Sequence, residues 1–469
     1  MSAAAADGAG SLSASAGRVG PRARQDSAVR LGALAALWLS LLLGAYWWDA
    51  DGGLRDLTGW GSGLDSVGRL SGLVASVLLL AQVLLMARVP VLESALGQDR
   101  AARLHRLVGL TSFDLMVAHV VLITWGYALG QLGRTPATLW DLTWHYPGML
   151  LAVGGTAFLC LVVATSIKAS RRRLRYESWH LLHLYAYLGV GLALPHQLWT
   201  GQQFVSSPAR TVFWWTAWSV VAGTVLVWRL GLPVVRNLRH RLWVTSVVPE
   251  APGVASVYVT GRRLDRLRVE AGQFFSWRFL TGPGWSHAHP YSLSAAPNGH
   301  SLRITVQAVG DGSRALLALR PGTRALVEGP FGRLSDRART RRKVALIGAG
   351  VGITPLRALA EGLSYAPGEA VLLQRYAAVP LFVPELRTLS SERGLAVLHL
   401  PGHRRGPGSW LGDGMGQVDD LAALRWCVPD IAERDVYLCG PEPWTDLVRA
   451  TLTAAGVPED RLHLETFAW

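Results

Sequence analysis

The 469-residue sequence predicts a membrane-embedded, all-α bundle of six helices followed by a soluble module of two parts, an antiparallel β-barrel and a parallel-sheet α/β domain. Three observations carry this. Almost unbroken apolar runs fill residues 31–232, whereas residues 236–469 have ordinary globular texture. Basic residues concentrate in alternate loops between those runs. Beyond Pro233, short β-like runs with Gly/Pro turns give way at Lys343 to strands alternating with helical stretches. Hydrophobic residues make up 50% of the chain and charged residues 17%, which excludes a disordered protein. The net charge of +14 reads as membrane topology rather than nucleic-acid binding, because many of the arginines flank apolar runs. Cys160, Cys427 and Cys439 form no CxxC pair, so a disulfide framework and a cysteine-rich zinc or iron–sulfur site are excluded.

Taken in order, residues 1–30, with Ala, Gly and Ser dominant, read as a disordered cytoplasmic tail. The membrane domain, 31–232, holds apolar runs at 31–48, 69–87, 104–127, 147–167, 179–199 and 211–232. Each is near the ~20 residues a bilayer core requires. Arg22, Arg24 and Arg30 precede the first run, and Arg88, Arg100 and Arg103 lie between the second and third. Lys168, Arg171, Arg172, Arg173 and Arg175 separate the fourth and fifth, and Arg236, Arg239 and Arg241 follow the sixth. The opposite loops hold only Arg55, Arg134 and Arg210. The expected protein is therefore a multi-pass one of the cell membrane, with its amino terminus and soluble half cytoplasmic. Thirteen of the 20 tryptophans precede residue 233, many near span ends, as an interfacial belt predicts.

The barrel is expected over 236–337, from β-like runs at Leu242–Val248, Ser256–Thr260, Leu302–Gln307 and Ala325–Glu328. The α/β domain is expected over 340–469, with strands at Val344–Ile347, Ala370–Leu373 and Asp435–Leu438 and a helix at Leu356–Leu363. The Arg-rich stretch Asp336–Arg342 reads as the hinge between them.

Histidines in hydrocarbon are costly and mark function. The third span carries His105 and His119, and the fifth carries His180, His183 and His196. His105 and His119 are fourteen residues apart, about 21 Å along a helix and within about 40° of one face. One helix thus presents a ligand near each side of the membrane. If the fifth span supplies the opposing imidazoles, two haems stack across the bilayer, each six-coordinate and suited to electron transfer. His183 and His196 lie about 140° apart on an ideal helix, which does not support a shared face, although Pro195 distorts that turn. His180, beside the arginines, reads as interfacial. Gly109, one turn past His105, leaves room for a macrocycle, and Arg103 and Arg106 are placed for its propionates.

Leu104-His105-Arg106-Leu107-Val108-Gly109 with His119, and Tyr176-Glu177-Ser178-Trp179 leading to His183 and His196, resemble the ferric reductase-like transmembrane domain shared by ferric reductases and NADPH oxidases. The resemblance implies that His105 and His183 bind the iron of an inner haem b and His119 and His196 that of an outer one.

His289-Pro290-Tyr291-Ser292-Leu293-Ser294 resembles the flavin motif of the ferredoxin–NADP reductase superfamily. Tyr291 can stack on an isoalloxazine, Ser292 can donate to it, and His289 offers a phosphate or ring contact. The amides and hydroxyl of Gly310-Asp311-Gly312-Ser313 suit the FAD pyrophosphate. Glu328-Gly329-Pro330-Phe331-Gly332 resembles the family's barrel-closing segment. Gly348-Ala349-Gly350-Val351-Gly352-Ile353-Thr354-Pro355 follows an apolar strand and opens a helix, so its glycines and the helix N-terminus admit a phosphate. It matches the superfamily's nicotinamide loop, with Gly348, Gly350, Gly352, Thr354 and Pro355 as cofactor contacts. Tyr437-Leu438-Cys439-Gly440-Pro441 resembles the Cys-Gly-Pro signature that places a thiol near nicotinamide C4. Gln374-Arg375 ends the second strand where an acid would bind the ribose 2′-hydroxyl, and arginine there accommodates a 2′-phosphate, with Arg404 and Arg405 available to assist. NADPH is therefore favoured over NADH. Glu465-Thr466-Phe467-Ala468-Trp469 resembles the family's ending, where an aromatic, Phe467 or Trp469, covers the flavin. Cys439, Glu465 and Phe467 are the expected catalytic residues.

The expected activity carries electrons from NADPH through FAD and two haems b to an acceptor outside the cytoplasm. Ferric chelates are the first choice, dioxygen reduced to superoxide the second, and a periplasmic partner protein a third. Arg134 and His145 in the outer loop are placed to receive the acceptor.

Overall fold

The computed structural model describes residues 21–167, 176–282 and 284–467. The membrane half is built from α1 (Pro21–Ala50), α2 (Trp60–Met86), α3 (Gln98–Tyr127), α4 (Thr135–His145), α5 (Met149–Ser166), α6 (Tyr176–Thr200) and α7 (Pro208–Thr224). After α7 the chain runs on through a π-helical stretch, Val225–Gly231, into α8 (Leu232–His240). Among the described residues five helices are long and apolar enough to cross a membrane: Gln25–Ala50, Trp60–Met86, Arg100–Tyr127, Met149–Ser166 and Pro208–His240. The remaining expected span is present as the 25-residue α6 but is not one of the five. Its histidines, tyrosines and Pro195 dilute its apolar character; His183 and His196 are half-buried, whereas Tyr185 and Tyr187 are exposed.

Two local expectations change. Helix α1 begins at Pro21, so ten residues assigned to the tail are helical. Proline is at home in a first turn, and the Arg, Gln and Ala that follow are good helix formers. Residues 1–20 and the basic loop 168–175 lie outside the described residues. The segment between α3 and α5 contains an unanticipated helix, α4, which exposes Trp140 and Trp144. Small residues bring helices together: a Cβ on Gly155 of α5 would sit 2.6 Å from the Gly189 carbonyl oxygen of α6.

The soluble half opens with a six-stranded sheet of β1 (Leu242–Ala251), β2 (Val254–Thr260), β3 (Phe274–Phe279), β4 (His289–Ser292), β5 (Ser301–Gln307) and β6 (Arg324–Phe331). Its order is β4-β3-β6-β1-β2-β5, all neighbours antiparallel, and a Leu293–Ile304 bridge brings the two edges together as a barrel. Phe275, Trp277 and Phe279 alternate along β3 into the core, as a half-buried strand requires. Helix α9 (Asp311–Leu317) follows β5.

The second sheet is parallel, ordered β11-β10-β7-β8-β9. It comprises β7 (Val344–Ala349), β8 (Ala370–Arg375), β9 (Ala396–Leu400), β10 (Asp435–Pro441) and β11 (Leu462–Phe467). Helices α10 (Ile353–Gly362), α11 (Val383–Arg393), α12 (Asp420–Cys427) and α13 (Glu442–Ala454) connect the strands. Every residue of β7 is buried, as expected for a central parallel strand covered on both faces. The stretch expected to act as a hinge is fastened instead. Buried Asp435 accepts from the Thr340 amide at 2.6 Å and the Arg341 amide at 2.5 Å, and the Tyr437 hydroxyl donates to the Ser335 carbonyl at 3.2 Å.

Candidate functional site

Helices α3 and α6 set the four histidines in two facing pairs. The rings of His105 and His183 are 6.0 Å apart between centroids, and those of His119 and His196 are 6.3 Å apart. Two imidazoles bonded to one metal at about 2 Å, with each Nε2 about 1 Å from its ring centre, give a centroid separation of about 6 Å. Both gaps have that width. His105 Nδ1 lies 3.1 Å from the Gln82 carbonyl oxygen and His119 Nδ1 lies 2.8 Å from that of Gly68. A proton held on Nδ1 by a carbonyl leaves Nε2 with the lone pair a metal needs. His183 Nδ1 is 3.4 Å from Ser166 Oγ, which also accepts from Trp179 Nε1 at 3.3 Å.

Among the described residues, no group of three or more His, Cys, Asp or Glu gathers to hold a bare ion. Paired imidazoles are the donor set for an iron whose other four positions come from a macrocycle, so the residues fit a haem. His196 faces His119 despite ideal-helix arithmetic, and Pro195 lies inside α6 immediately before it. The space beside Gly109 is taken by the Gln82 side chain: a Cβ there would lie 2.4 Å from Oε1. Arg103 and Arg106 are exposed, as snorkelling side chains are. His180 packs beside Trp179.

The barrel docks on the membrane half through β6, in the segment expected only to close the barrel. Glu328 accepts from Arg229 Nη1 at 2.7 Å and lies 3.4 Å from Arg88 Nε and 3.9 Å from Arg278 Nη1. The Arg88 guanidinium sits 3.9 Å from the Phe331 ring centre. Asn237 of α8 pairs with the Val327 backbone in both directions at 2.8 Å, and Arg236 donates to the Gly329 carbonyl. Arg229 leaves from the π-helical stretch, a local widening that recurs at functional sites.

Glu93, in the short helix Pro90–Leu96 between α2 and α3, joins this junction. Burial, reinforced by the Glu328 charge and opposed by Arg88, Arg229 and Arg236, pushes its carboxyl up to about 7. The folded state therefore keeps a proton that the unfolded chain has lost, and stability falls as pH rises from the ordinary value of 4.5 through 7. Glu93→Gln should melt with the wild type at about pH 5 and a few degrees above it at about pH 8. Thermal unfolding of the detergent-solubilised protein at both pH values checks this, and an equal difference at both contradicts it.

On the flavin side, Tyr291 and Ser292 are buried while Pro290 is exposed. Burial pushes the Tyr291 hydroxyl up to about 12, so it stays a neutral donor. Gly312 fits against the His289 ring, since a Cβ there would lie 2.8 Å from Cε1. The Ser313 hydroxyl, expected to face a pyrophosphate, is committed to its own turn: it accepts from the Val309 and Gly310 amides and donates to the Gly310 carbonyl, each at 2.9 Å. What the loop offers there is backbone amide.

On the nucleotide side, Gly350 has φ +55° and nothing near the position of a Cβ, so the loop is open at that point. Gly352 lies against β10, where a Cβ would be 2.3 Å from the Cys439 carbonyl oxygen. Thr354 Oγ1 donates to the Val351 carbonyl at 2.8 Å, and Thr354 and Pro355 are buried in the start of α10. Cys439 is fully buried between strand and loop, and burial, then the Glu465 charge, push its thiol well above the usual range. It therefore remains a neutral thiol. Glu465 pairs in register with Cys439, and its Oε1 accepts from the Arg333 amide at 3.0 Å, joining the barrel's end to the parallel sheet. Gly440 and Pro441 pair with Thr466 and Phe467. The Phe467 side chain and all of Trp469 lie outside what the structure describes.

Arg375 ends β8 beside the glycine loop, in register with Ala349. Its Nε and Nη2 are buried without a hydrogen-bond partner, an arrangement that calls for an anion. Burial, together with the nearby charge of Arg404, lowers its guanidinium from the ordinary value. Arg405 is not available to help: it donates to the Gly416 carbonyl at 2.6 Å and to Asp420 at 3.3 Å. Between α3 and α5, Arg134 lines a cleft of about 560 Å³ with Tyr127, Asp141 and Tyr146. His145 Nδ1 lies 2.8 Å from Asp141.

Residues 71–194 match the family described as ferric reductase like transmembrane component, a stretch that includes His105, His119 and His183 and stops two residues short of His196. Curated relatives match the soluble half. The ferredoxin reductase component of 3-ketosteroid-9-alpha-monooxygenase from Mycolicibacterium smegmatis is 30% identical over 240 residues, 48% of this chain and 65% of that protein. The ferredoxin–NAD(+) reductase component of the alkene monooxygenase system of Xanthobacter autotrophicus is 33% identical over 204 residues, 42% of this chain and 61% of that protein. The flavohemoprotein of Deinococcus radiodurans is 31% identical over 246 residues, 50% of this chain and 58% of that protein. The chain thus spans less than two thirds of each. Among solved structures, the flavohem-like FAD/NAD binding domain of nitric oxide dioxygenase from Vibrio cholerae aligns with a TM-score of 0.39 at 25% identity, covering 48% of this chain and 98% of that one.

Proposed function

We propose that this chain, which is similar in its membrane half to the ferric reductase-like component and in its soluble half to ferredoxin reductase components, is a transmembrane oxidoreductase of the cell membrane. It takes electrons from cytoplasmic NADPH and delivers them to an acceptor on the opposite side of the bilayer. The two facing histidine pairs carry this reading, because a soluble reductase has no use for imidazoles stacked along membrane helices. When bound, FAD takes hydride from NADPH and releases electrons singly, and two haems b relay them.

The chain's own residues bind and orient. His105 with His183 would hold the inner haem, and His119 with His196 the outer one. His289, Tyr291 and Ser292, with the amides around Gly310 and Gly312, hold the flavin. The Gly348–Gly352 loop, Thr354 and Pro355 receive the dinucleotide, and Arg375 receives its 2′-phosphate. Cys439, Gly440 and Pro441 back the nicotinamide, while Glu465, with Phe467 beside it in sequence, closes the cleft. Glu328 and its arginines keep the flavin domain docked under the inner histidine pair.

Ferric chelates are the acceptor favoured by the match of the membrane half to the ferric reductase-like component. The relatives' own names, reductase components of oxygenase systems, favour a protein acceptor as the second reading. Vesicles with the soluble half outward, given NADPH and an enclosed ferric chelate, should consume NADPH faster than vesicles with dioxygen alone. Consumption unaffected by the chelate contradicts the ferric reading. Superoxide inside the vesicles would then assign dioxygen as acceptor.

A further inference from the structure

Between barrel and parallel sheet lies a buried polar network that none of the expected cofactor contacts uses. Arg303 on β5 and Arg357 on α10 are 5% and 7% exposed, and both converge on Glu385 of α11. Arg303 grips the carboxylate with a fork, Nη1 to Oε1 at 2.7 Å and Nη2 to Oε2 at 2.9 Å. Arg357 Nε lies 2.5 Å from the same Oε2. The two guanidinium groups also reach the strand bearing the flavin motif: Arg303 Nη2 donates to the Ser294 carbonyl at 2.6 Å, and Arg357 Nη1 donates to it at 3.2 Å. Glu361, one turn along α10 from Arg357 and 2.5 Å from its Nη1, accepts from the Ala296 amide at 2.6 Å. Aromatic rings enclose the centre: the Arg303 guanidinium lies 5.1 Å from the Phe382 ring centre and 5.8 Å from that of Tyr258.

The placement gives the network its consequence. Ser294 is two residues after Ser292 of the flavin motif, and Arg357 is two residues after Pro355 of the glycine loop. A link between them fixes how far the flavin strand stands from the loop that carries the nicotinamide. Glu385 is the only acid in this set touching both arginines; without it Arg303 loses its carboxylate and Arg357 keeps only Glu361.

We propose that Glu385 is a positioning residue for hydride transfer, joining Arg303 of the barrel to Arg357 of the nucleotide-side helix so that nicotinamide and flavin meet at reacting distance. Its carboxylate is taken up by the two arginines, through which it acts. The proposal rests on the reading that NADPH reduces a flavin held here. Misplacement of reacting groups by about 1 Å costs on the order of a hundredfold in rate, while binding contacts to each cofactor survive.

The test uses the full chain in detergent with flavin bound. Glu385→Gln should retain flavin and bind NADPH with affinity near that of the wild type. Flavin reduction at saturating NADPH should slow about ten- to hundredfold. The isotope effect with 4-deuterated NADPH should rise, and the long-wavelength charge-transfer absorbance of NADP+ with reduced flavin should weaken. Glu385→Asp, which keeps the charge one methylene short, should fall between. Reduction within twofold of the wild type, or a loss confined to NADPH affinity, overturns the proposal. So does loss of flavin from both variants, which would make Glu385 a folding residue. A wild-type flavin reduced by neither NADPH nor NADH overturns the underlying reading, and the proposal with it.

Discussion

His119→Leu should leave NADPH-driven reduction of the flavin intact and lower delivery to an impermeant acceptor across the membrane by at least about a hundredfold. Losing a group that merely orients a metal ligand already costs about 10–100-fold in affinity, and here a ligand itself is lost. His119 faces His196 alone across the outer gap, so leucine leaves one imidazole where two are set. The inner pair is about 21 Å away along α3 and keeps its own carbonyl and hydroxyl partners. A soluble dye should therefore still be reduced on the cytoplasmic side. His105→Leu should cut the route earlier, leaving a reducible flavin and an outer group that NADPH cannot reduce. Stopped-flow spectra of reconstituted vesicles separate the two variants, and undiminished trans-membrane reduction in His119→Leu contradicts the assignment.

Arg375→Ala should cost NADPH about ten- to hundredfold in kcat/KM and leave NADH use within a few fold. Hydrogen bonds to charged groups contribute about 1.5–3 kcal/mol each, and a factor of ten corresponds to about 1.4 kcal/mol. Arg375 Nε and Nη2 are buried at the end of β8 without a hydrogen-bond partner, and the charge of Asp413 nearby only partly offsets that of Arg404 and the burial. A cofactor lacking the 2′-phosphate has nothing to offer those nitrogens. Steady-state rates with both nucleotides check the expectation, and equal losses remove the case for NADPH.

Much of the site is legible in the chain because its parts are local. The glycine loop, the flavin strand and the fourteen-residue histidine spacing each depend on one helix or one turn, and periodicity reports such features directly. His196 is harder to place, because ideal-helix arithmetic sets it about 140° from His183 while the structure turns both toward α3. Ser313 is misread for a related reason: a hydroxyl able to meet a phosphate is equally able to cap its own turn, and the local bond wins. The barrel–membrane junction and the Arg303–Glu385–Arg357 network are invisible in sequence. Each pairs charges far apart along the chain, such as Arg88 with Glu328, and a charged residue looks the same in sequence whether solvated or paired. The polar character of α6 is the opposite case. The histidines that make it a poor membrane span by composition are the ones on which the proposed electron route rests.

The most direct test of the central claim is the visible spectrum of the purified full-length protein, taken anaerobically before and after NADPH. Two facing histidine pairs and one flavin cleft predict a Soret band, the sharp α-band of six-coordinate haem on reduction, and two haems for each FAD extracted. Both haems should be reduced by NADPH without an added mediator. A preparation that binds flavin but shows no Soret band, or whose haem NADPH cannot reduce, contradicts the trans-membrane route.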